Sequence, residues 1–168
     1  MAVRNNQWKP WVPVFVWLGV LALESSDLGS SDHTGHLLRK LWTALFGQPD
    51  AATFELVHHL IRKTGHFLGY AILSWLIFRA VRASWRNRQE ILSRGRDYFW
   101  QLRWAVLGVA GTAVAASVDE IHQTFNPART GRWQDVVLDT SGALAIQIIL
   151  FLALAMGSEK AETETSRS

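Results

Sequence analysis

Apolar residues are gathered into four blocks that charged loops separate, at Trp8–Leu23, His66–Val81, Ala105–Val118 and Val136–Met156. A transmembrane helix needs about 20 predominantly apolar residues. The last block has that length, and the others approach it once their flanks are included. The pattern therefore predicts an all-α polytopic membrane bundle of four transmembrane helices, at about residues 8–23, 65–81, 101–121 and 136–156.

The third block is too short by itself to cross a bilayer. Its 14 residues would extend for about 21 Å at 1.5 Å per residue, whereas the hydrocarbon layer is about 30 Å thick. We expect the helix to continue at both ends, from the tryptophans at positions 100 and 104 to Asp119, Glu120 and Ile121. This extension places tryptophan at one interface and two carboxylates at or just inside the other.

The first block has two interpretations. Arg4 and Lys9 precede a short apolar run, which is also the pattern of a secretory signal peptide. No small-residue cleavage site follows, and Pro10 and Pro13 would lie in an opening helical turn, where proline is tolerated. A retained first span is the favoured interpretation, with a cleaved signal peptide as the alternative.

The segment between the first two spans predicts a short helix lying in the outer membrane interface. Five apolar residues recur there at helical spacing, opposite Arg39 and Lys40: Leu37, Leu38, Leu41, Trp42 and Leu45. Gly47 and Pro49 would end this helix. We expect one domain over residues 1–157, with interfacial helices in this first outer loop, followed by a disordered polar tail at 158–168.

The distribution of basic residues predicts the orientation. The loop from Arg79 to Arg103 carries seven arginines against only Glu90 and Asp97, and such loops stay in the cytoplasm. Four crossings then place both termini in the cytoplasm. Eleven of the 17 lysines and arginines lie on the cytoplasmic side of this map, and six lie outside.

The overall composition agrees with a membrane protein. A net charge of +3 and a pI near 9.7 could indicate nucleic acid, but the basic residues cluster beside apolar blocks, which suits anionic lipid headgroups. Nine tryptophans fit the headgroup level of a bilayer. The chain has no cysteine, which excludes disulfides and thiolate chemistry.

The third span carries the first candidate site residues. Two lines of small residues, spaced four apart, each end in a carboxylate: Gly111, Ala115 and Asp119, and Gly108, Thr112, Ala116 and Glu120. Small residues let membrane helices approach closely, so both carboxylates lie on the packed face. Acidic groups at a helix C-terminus interact unfavourably with the helix dipole. This favours a functional role for the two carboxylates over the alternative that they only mark where the helix meets water. Gln123, one turn beyond Asp119, can join the same face.

The start of the fourth span adds further candidates. Asp135 could serve only to cap this helix, whereas Asp139 lies one turn deeper and is the stronger candidate for a functional role. Arg129 and Arg132, in the connecting loop, could neutralise the carboxylates or bind a phosphate.

Histidines raise the question of a metal. A lone histidine at a helix start, such as His66, is more often a residue that makes ordinary hydrogen bonds at the membrane interface than a metal ligand. The others, His58, His59 and His122, show no spacing that specifies a metal, so we predict neither a metal nor a cofactor.

Two stretches, "IRKTGHFLGYAILSWL" and "DEIHQTFNPARTGRWQDVVLDTSGAL", resemble the VanZ-like family of small bacterial membrane proteins. The shared elements, in chain order, are Lys63, His66, Tyr70, Asp119, Glu120, Gln123, Pro127, Arg129, Asp135 and Gly142. The resemblance implies a bacterial cytoplasmic (inner) membrane location and a link with teicoplanin-type glycopeptide resistance, and it strengthens the case for His66. The chain departs from the family at Gly69, which is often acidic, and at Asp139, which is often asparagine.

We therefore expect an extracytoplasmic polar pocket that binds an envelope lipid headgroup or a glycopeptide. Its candidate residues are Lys63, His66, Tyr70, Asp119, Glu120, Gln123, Arg129, Asp135 and Asp139. The alternatives are a membrane-embedded enzyme that acts on a lipid-linked phosphate by carboxylate and histidine acid–base or metal chemistry, and ion pairs with a purely structural role. The expected partner is the lipid bilayer and not nucleic acid, and the oligomeric state stays open.

Overall fold

The computed structural model describes residues 8–26, 31–85, 101–125 and 131–165. A 3₁₀ turn at Lys9–Trp11 leads into five helices: α1 (Val12–Ser25), α2 (Ser31–Phe46), α3 (Ala51–Ser84), α4 (Leu102–Thr124) and α5 (Trp133–Thr165). No strand occurs within these ranges, which confirms the all-α prediction.

Three of these helices are long and apolar enough to cross a membrane: α3, α4, and α5 over Trp133–Ala153. The first predicted span corresponds to α1, which has 14 residues and is about 21 Å long. Length and composition therefore support three of the four predicted spans. The two carboxylates predicted to extend the third span, Asp119 and Glu120, do lie within α4.

Helix α3 has 34 residues and is about 51 Å long, so it exceeds the hydrocarbon layer of about 30 Å. Its first residue follows Asp50, whose carboxylate accepts hydrogen bonds from the N–H and the hydroxyl of Thr53, at 3.0 and 3.1 Å. These bonds hold the pKa of Asp50 below its ordinary value. The cap begins α3 well before the apolar span at residue 65.

Helix α2 packs against this early part of α3. It lies where the leucine spacing predicts a helix. The Trp42 ring lies 6.5 Å from that of Phe54, and Thr34 Oγ1 lies 3.1 Å from His58 Nε2. Gly47 follows α2 with a φ of 84°, a left-handed conformation that glycine adopts without a Cβ clash, and so ends the helix as predicted.

The long helices alternate in direction. Trp11 Nε1 donates to Ser84 Oγ at 3.0 Å at one end of the bundle, and Ser25 Oγ donates to Asp119 at the other. Helices α1 and α4 therefore run antiparallel to α3, whereas α5 runs alongside α3 in the same direction. As a result, the ends of α1 and α4, the middle of α3 and the start of α5 meet at one end of the bundle.

Small residues bring α3, α4 and α5 into close contact. A Cβ atom on Gly142 of α5 would lie 2.3 Å from the Phe67 carbonyl oxygen on α3, so only glycine permits this approach. On α4, the line of Gly108, Thr112, Ala116 and Glu120 is buried, as its spacing predicts. The same bundle interior holds a hydrogen bond of 3.0 Å from Gln147 Nε2 to Ser74 Oγ.

Helix α5 continues past its apolar part to Thr165. Residues 158–165, most of the segment that the sequence predicts to be a disordered tail, are therefore helical. The arginine-rich loop at residues 86–100 lies outside the described residues.

Candidate functional site

Polar side chains form a cluster around Asp119, at the end of the bundle where α1 and α4 stop. Asp119 Oδ2 accepts hydrogen bonds from Ser25 Oγ at 2.7 Å, Gln123 Nε2 at 2.9 Å and the Tyr70 hydroxyl at 3.1 Å. These donors belong to α1, α4 and α3. Because hydrogen bonds to a charged acceptor are stronger than neutral ones, this oxygen fixes the relative positions of three helices.

Asp139, on α5, completes the polar cluster in a very different environment. It is 0% exposed, and neither of its oxygens has a hydrogen-bond partner among the described residues. Its ion-pair partner is His66 on α3, whose Nδ1 lies 3.6 Å from Oδ2. A buried carboxylate without donors is costly, so Asp139 is the least satisfied group in the cluster and a functional candidate.

Glu120 lies beside these carboxylates at the C-terminal end of α4. Its Oε2 accepts a 2.7 Å hydrogen bond from the Arg132 backbone N–H, while Oε1 is buried without a hydrogen-bond partner in the described part of the chain. A Cβ on Gly131 would lie 2.3 Å from the Glu120 carbonyl oxygen, so the chain entering α5 passes directly over the end of α4.

An ion pair lies at the edge of the cluster. Lys63 Nζ, on α3, donates a hydrogen bond to Asp135 Oδ1 in the first turn of α5. The pair links the two parallel helices one turn before the His66–Asp139 pair. Asp135 is therefore bonded across the bundle and does more than begin its own helix.

A groove of about 390 Å³ opens beside the cluster, between α2 and α3. We call it the leucine groove, because its apolar lining is Leu37, Leu38, Leu41 and Ile61. Its polar lining includes Glu24 at the end of α1, Arg62 and His66. His66 thus belongs to both features, since its ring lines the groove and its Nδ1 faces Asp139.

This arrangement gives His66 a defined chemical position. The His66 ring also stacks on Tyr70, with centroids 6.2 Å apart. With Nδ1 turned toward Asp139, the other ring nitrogen, Nε2, lies on the far side of the ring. That atom is suited to donate a hydrogen bond to a molecule in the groove or to exchange a proton with it.

Eight of the nine predicted site residues lie within the described ranges, and seven of these contact one another. The contacts are Lys63–Asp135, His66–Asp139, Tyr70–Asp119, Gln123–Asp119 and Glu120 with the backbone of Arg132. Arg129 lies outside the described residues. No group of three histidine or acidic side chains within those ranges is arranged to hold a metal ion.

The sequence does not show how two contributors reach the cluster. Ser25 looks like an ordinary polar residue after an apolar block, and only the packing of α1 brings it to Asp119. Arg132 is expected to act through its guanidinium, but the described contact to Glu120 is made by its backbone N–H. The leucines of α2 do carry a signal, because their helical spacing marks an exposed apolar face.

A family model described as VanZ/LLP1 matches residues 11–154, which include every residue of the cluster and the groove. No curated protein and no solved structure matches the chain.

Proposed function

Because the chain belongs to the VanZ/LLP1 family, as its motifs predict, we propose that it is a multi-pass protein of a bacterial cytoplasmic membrane with four spans. Helix α1, lengthened by the 3₁₀ turn, supplies the first span, since it is bonded to α3 at one end and α4 at the other. Local thinning of the bilayer would accommodate its short length. The amphipathic α2 lies in the outer interface.

The polar cluster faces the extracytoplasmic side in this proposal. Arg79, Arg82 and Arg103 lie at the opposite end of the bundle, near Trp11 and Trp104. Positively charged ends of membrane helices favour the cytoplasm. Both termini are then cytoplasmic, and the leucine groove opens in the outer leaflet.

The function that we propose is the binding of an envelope lipid, with its apolar tail in the leucine groove and its headgroup at His66. The supporting observation is the groove itself, because one continuous surface joins exposed leucines to a histidine paired with a buried carboxylate. An apolar tail suits the leucines, and a polar headgroup suits the histidine.

The cluster also indicates the kind of headgroup. Asp139 and Glu120 both keep buried carboxylate oxygens without hydrogen-bond partners among the described residues. An ionised carboxylate accepts hydrogen bonds and donates none, so a headgroup that donates, such as one with ammonium or sugar hydroxyl groups, would satisfy these oxygens if binding at His66 exposed them. Binding such a lipid would connect the protein with tolerance of envelope stress or of glycopeptides.

A second candidate is a membrane enzyme that acts on a lipid-linked phosphate. The observation in its favour is the His66–Asp139 pair, because a carboxylate at one ring nitrogen orients a histidine for general acid–base work. Release of inorganic phosphate from a polyprenyl phosphate by purified protein, lost in His66→Ala, would support turnover. Binding of lipid without release supports the non-catalytic proposal.

The leucine groove offers a matched test of lipid binding. Leu41 lines the groove, whereas Leu45, one turn further along α2, does not line it but is also exposed. In Leu41→Trp the indole fills the groove, and the lipid that copurifies with the protein, measured by native mass spectrometry, should fall by about tenfold, equivalent to about 1.4 kcal/mol. Leu45→Trp should retain the lipid. Equal retention by both variants would contradict the proposal.

A further inference from the structure

A second concave site lies at the opposite end of the bundle from the polar cluster. It is a pocket of about 280 Å³ that we call the cationic pocket, because Lys9, Arg79 and Arg82 line it. Sixteen residues separate His66 from Arg82, which is about 24 Å along α3. The two sites therefore lie near opposite faces of the hydrocarbon layer, and the cationic pocket is independent of the proposed lipid-binding function.

Two parts of the chain build this pocket. Lys9 belongs to the 3₁₀ turn, and the hydrogen bond from Trp11 Nε1 to Ser84 Oγ fixes that turn against the end of α3. Arg79 and Arg82 are three residues apart on α3 and so share a face. Apolar groups supply the rest of the described lining: Pro10, Pro13, Leu76 and Ala83.

The charges in the pocket favour an anion. Lys9 and Arg79 both line this small hollow, and its described lining includes no carboxylate. Two cations that converge attract an anion more strongly than either does alone. Guanidinium groups match the oxygens of a phosphate in geometry as well as in charge.

The depth of the pocket points to a lipid phosphate. The guanidinium of Arg79 lies 4.8 Å from the centre of the Trp75 ring, and Trp8, 74% exposed, immediately precedes Lys9. Tryptophan prefers the level of the lipid headgroups. We propose that the cationic pocket binds the headgroup phosphate of an anionic phospholipid, such as phosphatidylglycerol, in the leaflet opposite the leucine groove.

The test compares phosphatidylglycerol with phosphatidylcholine on the full chain in detergent, with bound lipid counted by native mass spectrometry. Lys9→Gln and Arg79→Gln should each weaken phosphatidylglycerol binding by about fivefold, and the double variant by about thirtyfold, with phosphatidylcholine unaffected. Arg103→Gln is the control, because Arg103 lies at the same end against Trp85 and Trp104 but does not line the pocket. Circular dichroism of each variant separates loss of binding from loss of folding. Arg79→Lys keeps the positive charge and should retain most of the phosphatidylglycerol binding.

A second arm of the experiment identifies the source of the phosphate. Inorganic phosphate added to lipid-free protein should produce no saturable heat of binding in calorimetry. Saturable binding of inorganic phosphate that requires Lys9 and Arg79 would overturn the lipid assignment. Equal binding of phosphatidylglycerol by the wild-type protein, the double variant and the Arg103 variant would overturn the site.

Discussion

The hydroxyl of Ser25, the last residue of α1, donates a 2.7 Å hydrogen bond to the carboxylate of Asp119, the residue at which α4 leaves its apolar part. The two residues are 94 positions apart in the chain. Tyr70 and Gln123 donate to the same oxygen, so one carboxylate joins the first helix to the main bundle. The polar cluster is therefore part of the packing of the bundle as well as a candidate site.

Removing the Ser25 hydroxyl should loosen α1. Ser25→Ala loses a hydrogen bond to a charged acceptor, and we expect the free energy of unfolding to fall by about 1.5–3 kcal/mol. Ser141→Ala is the control, because Ser141 is exposed and, among the described residues, its hydroxyl donates only to the Leu138 carbonyl of its own helix. Unfolding in detergent by denaturant measures both, and an equal loss in the two variants would contradict the role of Ser25.

Asp119 and Asp139 should respond to different extents to the same change. Asp119→Asn weakens three hydrogen bonds to a charge and should lower the free energy of unfolding by about 1–3 kcal/mol. Asp139→Asn removes a buried charge that has no hydrogen-bond donor among the described residues, and its amide oxygen can still face His66 Nδ1, so the loss should be smaller than in Asp119→Asn. Thermal unfolding in detergent compares the pair. A larger loss of stability in Asp139→Asn than in Asp119→Asn would show that Asp139, and not Asp119, is the main stabilising carboxylate of the cluster.

The contact at Gly142 should not tolerate a side chain. In Gly142→Ala, the new Cβ would lie 2.3 Å from the backbone oxygen of Phe67, so α3 and α5 must separate, and we expect a loss of about 1–3 kcal/mol. Gly65→Ala is the matched control, because nothing lies within 4 Å of its Cβ position and alanine favours a helix. Denaturant unfolding of the two variants checks this. If Gly65→Ala is destabilised as much as Gly142→Ala, close helix packing is not the cause.

The absence of cysteine makes the orientation directly testable. Phe125 follows α4 beside the polar cluster and Trp85 follows α3 at the other end, and both side chains are exposed. A membrane-impermeant maleimide applied to intact cells or spheroplasts should label Phe125→Cys and leave Trp85→Cys unlabelled until the membrane is opened. The reverse pattern would place the polar cluster in the cytoplasm and contradict the proposed topology.

Local patterns predicted the helices well, and the long-range contacts poorly. The apolar blocks located α1, α3, α4 and α5, and leucine spacing located α2, because burial on one face follows from the sequence period. Spacing along α4 also placed Glu120 on the buried face. No local pattern could show that Ser25 bonds Asp119, that Asp139 lies beside His66, or that the leucines of α2 reach His66, since each contact depends on how separate helices pack.

The lengths of two helices do not follow from local pattern. The polar residues at 158–165 are helical, because a helix that begins in an apolar segment can propagate into residues that would not start one. The first apolar block forms a helix of only 14 residues, so length does not identify it as a span and its contacts with α3 and α4 support that role instead.

Two histidines on α3 separate headgroup contact at His66 from a general effect of losing a histidine. His66 lines the leucine groove and faces Asp139, whereas His59, two turns earlier, is exposed and does not line the groove. Native mass spectrometry of protein purified from bacterial membranes measures the bound envelope lipid in His66→Ala and His59→Ala. Bound lipid should fall by about tenfold or more in His66→Ala, as expected for the loss of one hydrogen bond to a charged group, and should be retained in His59→Ala. Full retention by a folded His66→Ala protein would show that the headgroup does not bind at His66.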